Sequence, residues 1–140
     1  MSFLIDANVL SEPRRSEPDR RVLDWLDRLD EDRAFISVVS LAEIRRGVAL
    51  MDAGRRRDAL AEWLVRDLSE RFAGRILAVD ENTAFVWGDL MADAKRRGVS
   101  LASMDGLLAA AALAHDLTLV TRNVRDFENL GVRLFDPWTR

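Results

Sequence analysis

The sequence predicts an α/β domain built around a parallel sheet of four to five strands. Short runs rich in β-branched and aromatic residues alternate with longer stretches of helical periodicity, as in βαβ units. The chain has 140 residues, of which 49% are hydrophobic and 32% are charged, a size and balance typical of one globular domain. Neither a fixed-period repeat nor a low-complexity segment divides it. We therefore expect one domain over residues 1–140.

The first half of the chain predicts two strands and three helices. Phe3–Ile5 is apolar throughout, which is typical of a central strand. Residues 18–29 carry an apolar helical stripe, and residues 34–39 have the β-branched and aromatic character of a second strand. Helices are then predicted over residues 41–51 and 56–72, the latter with a large apolar residue at every fourth position from Leu60 to Phe72.

The second half of the chain continues the alternation. A third strand is predicted over residues 76–79, and an amphipathic helix over residues 81–97. Residues 105–115 are apolar on nearly every side, so this helix should be buried. Two further strands are predicted over residues 118–121 and 132–135.

The composition excludes several kinds of chemistry. Cysteine is absent, so the chain has no disulfide and no thiol nucleophile. The single histidine, His115, falls at a predicted helix C-terminus, where we expect a structural role, and it cannot by itself build a typical zinc site. The net charge of −3 argues against a nonspecific DNA-coating protein. No apolar run approaches the ~20 residues of a membrane span and the N-terminus carries no basic leader, so we expect a cytoplasmic protein without membrane contact.

Four oxygen-bearing side chains follow predicted strands or open predicted helices. Asp6 follows the first strand, Glu43 the second and Asn123 the fourth, while Asp105 opens the buried helix. Each has an ordinary explanation, because Asp6 and Asn123 suit turns and Asp105 suits a helix N-terminus. Glu43 fits a capping box with Ser40, in which the glutamate turns back to the serine N–H. Each residue alone is therefore undecided.

The four positions together point to a metal site. Ligands of parallel sheets bind beyond the carboxyl ends of the strands, where these side chains should meet. Clustered carboxylates repel one another unless a cation binds or a pKa rises. Oxygen ligands of this kind select Mg²⁺, with Mn²⁺ as an alternative, and such ions promote phosphodiester hydrolysis.

Four stretches and the C-terminal end of the chain carry a resemblance to a known family. These stretches are residues 6–13 (Asp-Ala-Asn-Val-Leu-Ser-Glu-Pro), 37–47 (Ser-Val-Val-Ser-Leu-Ala-Glu-Ile-Arg-Arg-Gly), 102–110 (Ala-Ser-Met-Asp-Gly-Leu-Leu-Ala-Ala) and 119–127 (Leu-Val-Thr-Arg-Asn-Val-Arg-Asp-Phe), with Phe-Asp-Pro-Trp at 135–138. In this order they resemble PIN-domain proteins, particularly the FitB-like branch of the VapC-type toxins of type II toxin–antitoxin pairs. The resemblance spans essentially the whole chain.

This resemblance implies a PIN-like three-layer α/β/α sandwich and a Mg²⁺-dependent endoribonuclease. It also implies a homodimer that a cognate antitoxin holds inactive. Asp6, Glu43 and Asp105 match the three principal acids of the family, which would bind metal and act in catalysis. Asn123 stands at a fourth position that is often aspartate, and it is predicted to complete the catalytic set.

Three further residues are candidates for a fourth acid or for supporting the ligands, namely Asp126, Thr121 and Asn8. The hydroxyl of Thr121 matches a family position that hydrogen-bonds the acids or the substrate phosphate. Arginines that flank the motifs are candidates for contacts with RNA phosphates, and surface charge is their alternative role; they are Arg14, Arg15, Arg45 and Arg46. The four tryptophans are expected in the core or an interface rather than on stacked bases.

Two other classes of α/β protein require motifs that this sequence lacks. A receiver domain needs an acidic pair after the first strand, and phosphatases of the haloacid dehalogenase type need Asp-x-Asp, whereas residues 6–8 read Asp-Ala-Asn. The remaining alternative is a PIN-like binding module that acts with a DNA-binding partner as an operon co-repressor, with little or no nuclease activity. The presence of Asp6, Glu43 and Asp105 argues against a chain that has lost catalysis.

Overall fold

The computed structural model describes residues 1–139 and contains a five-stranded sheet in the order β3-β2-β1-β4-β5. All neighbouring strands are parallel. The strands are β1 Phe3–Ile5, β2 Ala34–Ser37, β3 Ile76–Leu77, β4 Thr118–Val120 and β5 Leu134–Phe135. The chain builds outward from β1 on one side through β2 and β3, and on the other through β4 and β5. The strand order therefore reverses at β1, which is where open α/β sheets form their ligand crevice.

Seven α-helices lie among the described residues 1–139: α1 Ala7–Ser11, α2 Arg20–Arg28, α3 Val38–Ala49, α4 Arg55–Glu62, α5 Ser69–Arg71, α6 Glu81–Arg96 and α7 Ser103–Ala114. A π-helical segment, Trp63–Leu68, connects α4 to α5. Within residues 1–139, no helix combines the length and the apolar character needed to cross a membrane.

The hydrophobic core divides between the two faces of the sheet. Leu4 and Leu119 pack with Leu108 of α7, whereas their chain neighbours Ile5 and Val120 pack with residues of α2, α3 and the π-helical segment. Successive side chains of a strand point to opposite faces. The sheet is therefore covered on both sides, and the expected α/β/α sandwich with a parallel sheet is confirmed.

The second strand is shorter than predicted. The strand expected over residues 34–39 ends at Ser37, and Val38 and Val39 belong to the first turn of α3. The Ser37 hydroxyl accepts a 3.0 Å hydrogen bond from the Val39 amide and so caps the helix. This cap outweighs the β propensity of the two valines, because capping satisfies an amide that would otherwise lack a partner.

The same boundary makes the predicted capping box wrong. Ser40 is the third residue of α3 rather than its N-cap, and Glu43 lies in the second turn of the helix. The Ser40 hydroxyl is fully buried and has no hydrogen-bond partner among residues 1–139. Helix capping therefore does not explain the glutamate at position 43.

The other boundaries differ by a few residues. The short helix α1 was not predicted; Asp6 is its N-cap, and the Asp6 carboxylate accepts a hydrogen bond from the Ala7 amide. Helix α7 begins at Ser103 rather than at residue 105, which places Asp105 within its first turn. The third and fifth strands contain two residues each instead of four, as expected of edge strands that pair on one side only.

Candidate active site

The predicted acids meet in one cleft at the carboxyl end of the sheet. Asp6 follows β1, Glu43 lies on α3 after β2, Asp105 lies on α7, and Asn123 follows β4. All four line the same cleft, which has a volume of about 430 Å³; Asn8 lines it as well. Four separate segments of the chain thus converge where the strand order reverses.

Asp6 is the most deeply buried acid of the cleft, with only 6% of its surface exposed. Its Oδ1 accepts a 2.7 Å hydrogen bond from the Ala7 amide, and its Oδ2 accepts one of 2.7 Å from the Thr121 hydroxyl. Burial raises the pKa of the Asp6 carboxyl, and the two hydrogen bonds oppose this shift. The charges of Asp105 and Asp126 raise the pKa further.

Thr121 connects the ends of the two central strands. Besides donating to Asp6, its Oγ1 accepts a 3.1 Å hydrogen bond from the Asn123 amide and one of 3.5 Å from the Asn8 side-chain amide. The side-chain oxygen of Asn8, Oδ1, in turn accepts a 3.3 Å hydrogen bond from the Arg122 backbone amide. Thr121 and Asn8 therefore hold the loop after β4 against the residues that follow β1, and they orient Asp6.

Glu43 and Asp105 are half-buried. Burial raises the pKa of Glu43, and the charges of Asp6 and Asp105 add to the rise. Burial also raises the pKa of Asp105, with a further contribution from Asp126. Asp126 itself is exposed in the 3₁₀ turn Val124–Phe127. The carboxylates are thus close enough to repel one another, which is the electrostatic condition that a bound cation would relieve.

The donor set fits Mg²⁺ with few protein ligands. Among residues 1–139, no three acidic, histidine or cysteine side chains are placed so as to hold one ion together. Mg²⁺ commonly keeps several water ligands and binds one or two carboxylates and a substrate phosphate. Glu43 and Asp105 accept no hydrogen bond from residues 1–139, so their oxygens are available beside the fixed carboxylate of Asp6.

The predicted arginines divide into two groups. Arg14 and Arg15 line the cleft, whereas Arg45 and Arg46 are exposed on α3 and lie outside its lining. The structure does not bring Arg45 and Arg46 to the acids.

Sequence reasoning missed an arginine and a tryptophan of the cleft. Arg56 and Trp63 enter the cleft from α4 and the segment that follows it. No local pattern identifies them, because they are more than a dozen positions from each of the three acids. The expectation that the tryptophans lie in the core or an interface holds only partly for Trp63, which packs against the core and also lines the cleft.

Comparison with known proteins identifies the family of the chain. The family model described as "PIN domain" matches residues 3–132. The chain belongs to the PIN-domain family. It is 41% identical to Toxin FitB of Neisseria gonorrhoeae over 136 residues, which cover 97% of this chain and 98% of FitB. It is 38% identical to VapC ribonuclease Y4jK of Sinorhizobium fredii over 97% of both chains.

A solved structure shares the fold across the whole PIN domain. This structure, of FitAB bound to the IR36 DNA fragment, matches with a TM-score of 0.91 and 39% identity, covering 97% of this chain and 95% of that chain. At this level of similarity the two chains share the same fold. The resemblance inferred from the motifs is therefore confirmed.

Proposed function

We propose that this PIN-domain chain is a Mg²⁺-dependent endoribonuclease, the toxin of a type II toxin–antitoxin pair. One observation carries the proposal: Asp6, Glu43 and Asp105 come from three different elements and line one cleft at the reversal point of the sheet. The names of the relatives, a toxin and a ribonuclease, support the same reading.

We assign metal binding to Asp6, Glu43 and Asp105, of which one or two would contact the ion directly and the others would act through its bound water. When bound, Mg²⁺ would activate water and neutralise charge at the scissile phosphate. Asn123 contributes a neutral oxygen at the fourth position, and Asp126 is the alternative fourth acid because its charge acts on both Asp6 and Asp105. Mn²⁺ suits the same oxygen ligands.

The protein groups divide the remaining work. Thr121 and Asn8 fix the position of the Asp6 carboxylate. Glu43 has a raised pKa and accepts no hydrogen bond from residues 1–139, so it is suited to orient a water molecule and to accept its proton. Arg14 at the cleft wall is suited to hold an RNA phosphate.

An antitoxin segment that enters the cleft would inhibit the enzyme. An arginine of that segment can pair with the acids and exclude the metal, because charge-assisted hydrogen bonds to carboxylates are strong. The similarity to a solved FitAB complex supports a partner of this kind. A homodimer in the cytoplasm, where the RNA substrate is found, completes the proposal, and light scattering of the purified chain tests the dimer.

The deciding experiment is cleavage of single-stranded RNA by the purified chain with Mg²⁺ and with EDTA. We expect cleavage only with Mg²⁺, and no cleavage by Asp6→Asn or Asp105→Asn variants that melt cooperatively. Retained activity in either variant would contradict the site assignment. Cleavage that persists in EDTA would contradict the metal requirement.

A second role is favoured by the similarity to FitAB bound to a DNA fragment. With its antitoxin the chain would then act as a co-repressor of its own operon. A gel-shift titration with operator DNA tests this role: the Asp6→Asn chain should strengthen DNA binding by the antitoxin as wild type does. No effect of the chain on DNA binding would exclude the co-repressor role.

A further inference from the structure

The cleft lining combines two groups of opposite charge. Asp6, Glu43 and Asp105 are its carboxylates. The second group, called the arginine group below, consists of Arg14 and Arg15 after α1, Arg56 of α4, and Trp63. A substrate phosphodiester at the carboxylates must continue as a polyanion with attached bases, and the arginine group offers the complementary charges and an aromatic ring.

Arg15 is held in place by a buried carboxylate. Glu12 is 2% exposed; its Oε1 accepts a 3.2 Å hydrogen bond from Arg15 Nη1, and its Oε2 accepts one of 2.7 Å from the Asp19 amide. Burying a carboxylate is costly unless its oxygens are paired. The Arg15 side chain stays 57% exposed. Glu12 thus fixes an arginine whose remaining donors face the solvent and the cleft.

Arg56 and Trp63 are joined to the same loop. Arg56 Nη2 donates a 3.1 Å hydrogen bond to the Arg14 carbonyl. The Arg14 guanidinium lies 5.6 Å from the centre of the Trp63 ring, in a cation–π contact. Trp63 is half-buried, with one part against the core and another at the cleft. The arginine group is therefore connected through Arg14 rather than being a set of independent surface charges.

We propose that Arg15, Arg56 and Trp63 form a nucleotide subsite for the RNA strand next to the scissile phosphate. The two arginines bind a backbone phosphate and Trp63 stacks against a base, the combination by which proteins hold single-stranded nucleic acid. Glu12 is a positioning residue that acts through Arg15. This inference rests on the proposed ribonuclease function and names how its substrate is bound.

Binding of RNA without cleavage tests the subsite directly. The probe is a fluorescein-labelled single-stranded hexanucleotide RNA of mixed sequence, measured by anisotropy with full-length Asp6→Asn protein. Adding Arg15→Gln, Arg56→Gln or Trp63→Leu should weaken binding roughly fivefold or more. Each arginine variant should also lower the slope of log affinity against log salt by about 0.7.

Two matched controls accompany these variants. Arg55→Gln removes the same charge one residue away on α4, from an exposed side chain outside the cleft lining. Trp63→Phe keeps an aromatic ring. Arg55→Gln should bind RNA within about twofold of the parent, and Trp63→Phe should retain more of the binding than Trp63→Leu. Arg15 and Arg56 are exposed, so their variants should fold even if Trp63→Leu does not.

Kinetics in the otherwise wild-type chain separate positioning from a structural role. Arg15→Gln should raise KM with little change in kcat, because this contact is equally strong in the ground and transition states. Glu12→Gln should raise KM as well, and it should add nothing in the Arg15→Gln background. An effect of Glu12→Gln that is independent of Arg15 would overturn its positioning role.

The outcomes distinguish the subsite from the function. If the parent binds and cleaves RNA while Arg15→Gln, Arg56→Gln and Trp63→Leu match Arg55→Gln, the subsite is wrong and the ribonuclease stands. If these variants weaken binding of purified antitoxin but not of RNA, the arginine group is a protein-binding surface and the proposal fails. If the wild-type chain neither binds nor cleaves RNA, the function fails and the subsite with it.

Discussion

The Thr121 hydroxyl donates a 2.7 Å hydrogen bond to Oδ2 of Asp6, across 115 positions of sequence and between the ends of two neighbouring strands. Thr121 is fully buried, and its oxygen also accepts from the Asn123 amide. One hydroxyl thereby fixes the deepest acid of the cleft and the start of the loop that carries the fourth candidate ligand. A residue without charge thus organises a site whose chemistry depends on charges.

Thr121→Val tests this relationship, since valine has nearly the same shape and lacks the hydroxyl. We expect a loss of about 1–3 kcal/mol in the free energy of unfolding, because the Asn123 amide and a buried carboxylate lose a partner. Cleavage should fall as the Asp6 carboxylate loses its orientation. Thr121→Ser should keep most of both. Chemical denaturation measures the change in stability, and RNA cleavage measures the change in activity. Equal stability of Thr121→Val and wild type would contradict the structural role of the hydroxyl.

The carboxylates of Asp6, Glu43 and Asp105 repel one another when no metal is bound. We therefore expect the stability of the chain in EDTA to depend on pH. Burial and neighbouring carboxylates raise the pKa of Asp6 above its ordinary value of 3.8, so the folded chain binds its proton more tightly than the unfolded chain. Stability from this group is present below about pH 4 and is lost as the pH rises through the raised pKa. Glu43 and Asp105 shift in the same direction.

Melting temperatures against pH check this sign. Relative to wild type, Asp6→Asn should gain in Tm as the pH rises from 4 to 7, and addition of Mg²⁺ at pH 7 should raise the Tm of wild type more than that of the variant. A constant difference in Tm across this range would contradict a raised pKa of Asp6 in the folded chain.

Glu43→Gln should fold normally and lose cleavage by about 100-fold or more, since its role is chemical. The structure removes the competing explanation, because the N-cap of α3 is Ser37 and not Ser40. Glu70→Gln, at an exposed glutamate of α5 outside the cleft, is the matched control and should cleave as wild type does. Wild-type turnover by Glu43→Gln would exclude Glu43 from catalysis.

Gly106→Ala should destabilise the chain and impair the site. An added Cβ would lie 2.6 Å from Met91 Sδ and 3.1 Å from Trp87 Nε1, both on α6. Overpacking of this kind costs about 1–3 kcal/mol, and its relief would shift the start of α7, where Asp105 lies. Gly88→Ala is the control: it is helical, and a Cβ there meets no atom within 4 Å. That variant should gain up to about 1 kcal/mol of stability. Chemical denaturation of the Gly106→Ala and Gly88→Ala proteins measures both changes, and equal stability of the two would contradict the expected overpacking at Gly106.

Several features were determined by the sequence itself. The apolar run Phe3–Ile5 is the central strand, and Asp6 directly after it is a cleft residue, because a buried parallel strand is apolar on both faces and ligands collect beyond its carboxyl end. The alternation of strand and helix patterns determined that helices cover a parallel sheet. This could be predicted because the periods of two residues in strands and 3.6 residues in helices are properties of the local backbone. Glu43, Asp105 and Asn123 were found in this way too.

Only the tertiary structure decided the rest. Ser37 and Ser40 are both residue types that suit an N-cap. In the structure β2 pairs with β1 and β3 only as far as Ser37, and Ser37 is the N-cap of α3. Arg45 and Arg46 follow an acid motif yet are not among the residues that line the cleft, whereas Arg56 and Trp63 line it from α4 and the segment after it. The physical reason is that a cleft is formed by packing between elements, and the direction of a side chain toward it depends on where each helix lies on the sheet rather than on its neighbours in the chain.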